Sequence, residues 1–504
     1  MNTFAFLDDF CLQQRHQMKR RFFTPHVVED SGCKATKFRP AYTSFAYVPE
    51  QERYLMWTNF NTQFTIIGKT SEHCLLSMSE STDGIHFSPI TDGLKGFGDI
   101  DNVVYAGKGN SIHGATVLYD PDDSDPSRRF KCAASLDEPG EIMAYAPCTI
   151  AFSSDGKRWT LDGEKHVWSH FWSDSYNGLI YNPVLKCYQV FCRATGTDRR
   201  ICTVLSKDLI HWTEPRLVLH PDTLDGPGVE FYAMPVSYHN GIFYGFLWIF
   251  DTDDEDPITY KMAGRMRTEL AYSYDGLTWN RTRQPAVAMK DYDSDGYGVF
   301  QSTAYNMILN REQDRWLTVL MQWKGGHASG MIKPKDDNHL PPASKVGAVD
   351  SCALRIAEMK PGRFCGLEAI GISARLHTKN MLMKRDGTFP TINVACPHGE
   401  MRVRLLNTGN APIEGFDFSD CIPFRGNETA WKPLWRNRRI EETAGKFFNM
   451  EIELNEGCIF GISGDFMPFH SALPQYSYGD VRSAALDVWG TLEKAPDYGV
   501  LELY

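Results

Sequence analysis

Four acidic stretches of this 504-residue chain stand just ahead of apolar runs, where a carboxylate is carried to the mouth of a strand. They are Asp99-Ile100-Asp101-Asn102, Trp172-Ser173-Asp174-Ser175-Tyr176-Asn177, Asp225 through Glu230-Phe231-Tyr232, and Asp291-Tyr292-Asp293-Ser294-Asp295 with Gln301 behind it. Two carboxyl groups in unlike surroundings, one neutral and one charged, can divide acid and base work between them. Asp174 is flanked by Trp172, Tyr176 and Asn177, and ring stacking with amide hydrogen bonds suits a hydroxyl-rich ring. It reads equally as an Asx turn where a strand begins. Glu230 follows Gly and Pro and abuts two aromatic residues, surroundings that favour the neutral carboxyl of a general acid. It also reads as an ordinary strand-edge glutamate. Asp101 competes with Asp99 for any role, and Asp291 to Asp295 reads as a solvated loop or a cation site. Arg193, Arg199 and Arg200 suit a hydroxyl, carboxylate or phosphate, or salt bridges to surface acids. His113 and His327 lie near the same strand starts. The run Asp251 to Asp256 lacks the spaced glycine of a calcium loop.

The elements that must position these groups come from a repeat. Ser81-Thr82-Asp83-Gly84, Ser153-Ser154-Asp155-Gly156 and Ser273-Tyr274-Asp275-Gly276 each follow a short apolar run and close three residues later on Phe87, Trp159 or Trp279. Ser206-Lys207-Asp208-Leu209 is a fourth copy ending at Trp212, with leucine in place of glycine. Asp-Gly between β-prone runs marks a tight hairpin, because the turn needs residues that tolerate positive φ. Each copy closes a unit of about four strands, and a fifth unit ends on Pro361-Gly362 instead. Five four-stranded antiparallel units in series predict a five-bladed β-propeller, since stacking such sheets buries their faces and leaves only short edges. The turns themselves read as scaffold. After about residue 370, polar and apolar residues alternate, as in Met401-Arg402-Val403-Arg404-Leu405, and this predicts a β-sandwich. The expected organisation is all-β: a helical or irregular lead-in over residues 1–38, a propeller over 39–370, and a sandwich with a C-terminal tail over 371–504.

Composition narrows the function classes. A net charge of −11 argues against a nucleic-acid partner, which needs a basic face. No stretch approaches the roughly 18 consecutive apolar residues of a membrane helix, so no membrane partner is expected. Residues 1–23 include Asp8 and Asp9 and no signal-like apolar core. The 13 cysteines are scattered without a CxxC pair and read as reduced core residues of a cytoplasmic protein. No metal site and no cofactor is implied, and homo-oligomerisation is left open.

The hairpins on five units followed by a sandwich resemble the five-bladed glycoside hydrolases of the β-fructofuranosidase type (family 32) and the arabinanase and xylosidase type (family 43). Gly347-Ala348, Cys352-Ala353-Leu354-Arg355 and Gly362-Arg363-Phe364 look like the closing blade of family-32-like proteins, and Arg402-Val403-Arg404 and Gly415-Phe416 look like their sandwich. The invertase signatures WMNDPNG, Arg-Asp-Pro and Glu-Cys-Pro are missing, so roles transfer by position alone. The resemblance implies a carbohydrate substrate, a small furanoside or oligosaccharide, and a carboxylate set in the axial pocket. Glu230 would be the general acid, Asp101 the nucleophile or base, and Asp174 the orienting carboxylate. Substrate contacts would come from Trp172, Tyr176, Asn177, Arg193, Arg199, Tyr232, Gln301 and His327. The alternatives are a glycoside phosphorylase using Arg199 and Arg200 for phosphate, and a non-catalytic carbohydrate-binding propeller.

Overall fold

The computed structural model describes residues 2–33, 39–61, 64–65, 70–71, 74–97, 100–107, 111–136, 147–161, 166–169, 173, 175–193, 198–252, 264–288, 299–302, 307–323 and 352–469. Strands dominate, and the helical turns described are 3-10 turns of three or four residues. Among the described residues no helix is long and apolar enough to cross a membrane. The chain divides into two compact units, one built on Thr24–Tyr238 and Phe243–Met359, the other on Met1–Phe23, His239–Ile242 and the chain from Lys360 onward.

Among the described residues the larger unit holds five sheets in chain order, antiparallel but for one parallel pair in the first, plus a two-stranded ribbon. One edge of each sheet is Arg39–Val48, Ile112–Tyr119, Gly178–Asn182, Val229–Ala233 or Val299–Ser302. From that edge, successive strands pair largely with their chain neighbours. The recurrent turns form one hydrogen-bond set. In the second sheet, Ser153 Oγ accepts from Asp155 N at 3.2 Å and Gly156 N at 2.9 Å. Asp155 Oδ1 then accepts from Lys157 N and Arg158 N, both at 2.8 Å. Ser81/Asp83, Ser206/Asp208 and Ser273/Asp275 repeat these bonds. The residue after the aspartate is left-handed every time, with φ of 76° at Gly84, 78° at Gly156, 64° at Leu209 and 81° at Gly276. Leucine there costs about 1–2 kcal/mol. Leu209 is 1% exposed, and burying its side chain returns about 1.5–3 kcal/mol, which offsets that cost.

These turns are also where one sheet meets the sheet before it. Trp57 Nε1, from the first sheet, donates to Gly156 O of the second at 2.8 Å. His166 Nδ1, beside the outer strand of the second, donates to Leu209 O of the third at 2.8 Å. Asn182 Nδ2 and Gln189 Nε2 of the third donate to Asp275 O and Gly276 O of the fourth, at 2.9 and 2.8 Å. The fourth and fifth meet through Tyr244 and Trp316, with ring centres 5.5 Å apart. A Cβ on Gly84 of the first sheet would lie 2.9 Å from Leu317 Cδ1 of the fifth. The sequence of contacts therefore returns to its start. A second tie joins the same two sheets: His26–Val27 pairs with Cys352–Met359 of the fifth, and Gly32–Cys33 pairs in parallel with His86–Pro89 of the first.

The smaller unit differs from the expected helical lead-in. Residues 2–22 are not helical; Asn2–Ala5, Leu12–His16 and Met18–Phe22 are strands paired with Cys458–Gly464, Ala374–Thr378 and Cys365–Ala369. The chain's first segment completes the sheet of its last because its apolar residues, Phe4, Phe6, Leu12 and Met18, share that core. Among the described residues, pairing links eleven strands of this unit. The 16-residue strand Thr391–Leu406 makes this link, pairing with Cys458–Gly464 at its start and with Phe447–Asn455 at its end.

Gly156→Ala tests the turn contact. Its Cβ would sit 2.7 Å from Trp57 Cζ2 on a left-handed backbone. The backbone term alone predicts a loss of about 1–2 kcal/mol, with ring displacement added to it. Denaturant unfolding measures the sum, and a change below about 0.5 kcal/mol, the usual range for an ordinary surface site, would refute the contact's weight.

Candidate active site

Charged and aromatic side chains gather where the third and fourth sheets begin to part. Cys187–Cys192 and Ile201–Ser206 form a hairpin whose last ladder pair is Cys192 opposite Cys202. Arg193 and Arg199 lie beyond that pair. The first strand of the fourth sheet docks on Arg199. Phe231 N donates to Arg199 O at 2.9 Å, Arg199 N donates to Glu230 Oε1 at 3.4 Å, and Arg199 Nη1 donates to Glu230 Oε2. Each side chain of this ion pair is 9% exposed. Arg193 Nη2 donates to Tyr232 O at 3.3 Å, and its guanidinium lies 4.7 Å from the Tyr232 ring centre. The Arg199 guanidinium lies 5.0 Å from that of Phe250.

An aromatic group continues from these residues. Trp248 is stacked on Tyr42 at 6.2 Å and 9°, and lies 5.7 Å from Tyr176 and 6.3 Å from Tyr232. Tyr42 also meets His113 edge-on at 5.7 Å. The rings thus come from sheets one to four. Asn177 ties two of these sheets by its backbone: its N donates to Gly114 O at 3.2 Å, and its O accepts from Thr116 Oγ1. Its side-chain amide is buried, and neither amide atom has a hydrogen-bond partner among the described residues; the same holds for Tyr176 Oη and Trp248 Nε1. Burial holds the Tyr176 phenol well above its ordinary pKa, which keeps it a neutral donor.

A charge cluster supports the strand that carries Glu230. Arg281 bonds Asp225 and Glu269, and Arg283 bonds Asp225 and Asp222. Burial alone would raise the Asp225 carboxyl. Hydrogen bonds from Arg281 and from the Asp222 N–H, with the two guanidinium charges, pull it down instead to about 2. The segment before Glu230 is therefore held by a permanently charged carboxylate at neutral pH.

Of the residues expected from sequence, the structure brings together Glu230, Arg193, Arg199 and Tyr232, with Tyr176 joined to them through Trp248 and Asn177 next to Tyr176 in the chain. Asp101 is not among them. It precedes Val103–Tyr105, which pairs with the third strand of the first sheet, Cys74–Ser81, on the side away from the inner strand. Its side chain is 65% exposed and lies 3.4 Å from Lys95 Nζ. The second sheet's inner strand starts only at Ile112, so the placing of Asp101 at its mouth is corrected. Both Glu230 carboxylate oxygens accept from Arg199, one from its backbone N–H and one from its guanidinium. Arg200, expected beside Arg199 in a phosphate site, is itself paired: its Nε and Nη2 bond Asp198 Oδ1 at 2.9 and 2.5 Å. Trp172, Asp174 and His327, with residues 291–295, lie outside the described residues, as does the side chain of Gln301, whose backbone pairs with Met321. Tyr42, Trp248 and Phe250 were missed. Their signal was the period-2 run Phe246, Trp248, Phe250 on one face of Ile242–Thr252, with Phe250 opposite Glu230. Among the described residues no group of three or more His, Cys, Asp or Glu is placed to hold a metal ion.

The buried pair predicts a stability cycle. Arg199→Met should destabilise by about 3–5 kcal/mol, because it takes the guanidinium away from the buried Glu230 carboxylate. Adding Glu230→Gln to that variant should restore part of the loss. Equal and additive losses in the two single variants and the double would contradict the pairing.

No protein-family model matches the chain, and no curated protein matches it. Among solved structures it is similar to a β-fructofuranosidase from Schwanniomyces occidentalis complexed with fructosyl-erythritol, at 10% identity and a TM-score of 0.42, over 88% of this chain and 98% of that one. It is also similar to a family 43 arabinoxylan arabinofuranohydrolase from Bacillus subtilis, at 9% identity and a TM-score of 0.38, over 86% and 96% of the two chains. A third is an N-acetylgalactosamine deacetylase from F. plautii, at 14% identity and a TM-score of 0.41, over 68% and 96%.

Proposed function

We propose that the chain is a glycoside hydrolase acting on a small furanoside or oligosaccharide, fructoside- or arabinoside-like. In this reading the five sheets are the blades of a β-propeller, with the eleven-stranded unit as its β-sandwich companion. The observation that carries the proposal is the Glu230 carboxylate, buried at the start of the fourth sheet's inner strand and braced by Arg199 beside Tyr232, Trp248 and Tyr176. A braced, charged carboxylate serves as nucleophile, base or hydroxyl acceptor. The second carboxyl of the pair that glycoside hydrolysis needs is assigned to Asp174, whose neighbours Ser173 and Ser175 are buried. Asn177, Tyr176 and Arg193 would bond sugar hydroxyls while the rings exclude water. The described cysteines are buried, as reduced core residues of a cytoplasmic protein would be.

A second reading, a non-catalytic carbohydrate-binding propeller, is favoured by the engagement of both Glu230 oxygens with Arg199. Turnover separates the two. A panel of aryl furanosides, fructosides and arabinosides, assayed with and without phosphate, should show phosphate-independent cleavage. Glu230→Gln should lower kcat by about 10² or more, on the scale of a lost transition-state contact. Sugar binding without turnover would establish the second reading and reject the first.

A further inference from the structure

We infer that Arg281 is a positioning residue for Glu230, an inference that rests on the hydrolase reading above. Arg281 lies on the outer strand Trp279–Pro285 of the fourth sheet, yet its long side chain is 7% exposed and directed inward. Its Nη1 and Nη2 donate to Asp225 Oδ2 and Oδ1 at 2.6 and 3.0 Å. Its Nε and Nη2 donate to Glu269 Oε1 and Oε2, both at 2.8 Å. The side chains of both acids are 4% exposed. The guanidinium also lies 4.7 Å from the centre of the Phe231 ring. One cation thus grips the turn that precedes Glu230 and the residue that follows it.

The segment between these grips is short and shaped. Asp225 N donates to Asp222 O at 3.0 Å, Val229 N donates to Gly226 O at 3.1 Å, and Glu230 comes next. Arg283 fastens the far side of the turn, donating to Asp225 Oδ1 at 3.1 Å and Asp222 Oδ1 at 2.7 Å. Only a planar fork with several fixed donors can serve two carboxylates and a ring face together; an ammonium offers a point charge in their place. Without the fork, Asp225 and Glu269 would be two buried like charges, and the turn would move to separate them. The Glu230 contacts with Arg199 cross from one sheet to another, so they depend on where that turn sets the strand. A misplacement of about 1 Å at a reacting group can cost about 10²-fold in rate.

The test uses the full chain and the furanoside, fructoside and arabinoside panel. Arg281→Lys and Phe231→Leu should each lower kcat about 10- to 100-fold while KM moves by less than about threefold, the pattern of lost alignment rather than lost affinity. Tyr188→Phe is the control for loss of stability alone: it removes a hydrogen bond to Asp120 in the neighbouring sheet and should lower Tm with kcat unchanged. If Arg281→Lys fails to fold, Phe231→Leu carries the test, since it removes the ring beneath the guanidinium and leaves every charge in place. Turnover that Glu230→Gln abolishes, but that a folded Arg281→Lys or Phe231→Leu retains within about twofold, overturns the inference alone. A wild-type chain that cleaves nothing in the panel overturns the hydrolase reading, and the inference falls with it.

Discussion

One contact recurs through the larger unit: a left-handed residue at the tip of a hairpin pressed against a side chain of the sheet before it. Ser153 and Asp155 use their oxygens to satisfy four backbone N–H groups, so the turn needs no help from water and can be packed. The absent side chain of Gly156 is then what lets the Trp57 indole approach and donate to its carbonyl. Gly276 repeats this against Asn182 and Gln189, and Gly84 against Leu317 of the last sheet. A chain of sheets linked in this way has no free end, and the strand His26–Val27 closes the first sheet onto the last a second time. A shift at any one turn would be passed on to the inner strands, where the polar groups lie.

The inner strands bring a compensated charge rather than a bare one to the site. Glu230 is fixed by the backbone and the guanidinium of Arg199, and the strand beneath it is fixed by Arg281 and Arg283. Such pairs are costly to bury and more costly to break, so they specify one arrangement rather than adding much stability. The buried amide of Asn177, next to Tyr176 in the chain, adds polar groups to the same region.

Much of the architecture was legible because hairpin turns are local. Asp83-Gly84, Asp155-Gly156 and Asp275-Gly276 announce their conformation within four residues, and even Leu209 follows the frame set by Ser206 and Asp208. Long-range pairing was not legible. Nothing near Leu12–His16 or Met18–Phe22 says that their partners lie some 350 residues away, and alternating strands alone do not reveal that Thr391–Leu406 links its neighbours into one sheet. The site was legible in part. Glu230, Tyr232 and Arg199 lie together because they flank an inner strand. Asp101 failed because Val103–Tyr105, a short outer strand, lies between it and the inner strand at Ile112. Arg281 left no signal at all, since its importance comes from reaching across a sheet.

The most direct measurement is a crystal structure of the chain soaked with D-fructose or L-arabinose. The account predicts a sugar with a hydroxyl within hydrogen-bond reach of the Glu230 carboxylate or the Arg193 guanidinium, on the side of Tyr232 and Trp248. A sugar bound elsewhere on the larger unit, with the Glu230 and Arg199 pair remote from it, would contradict the account.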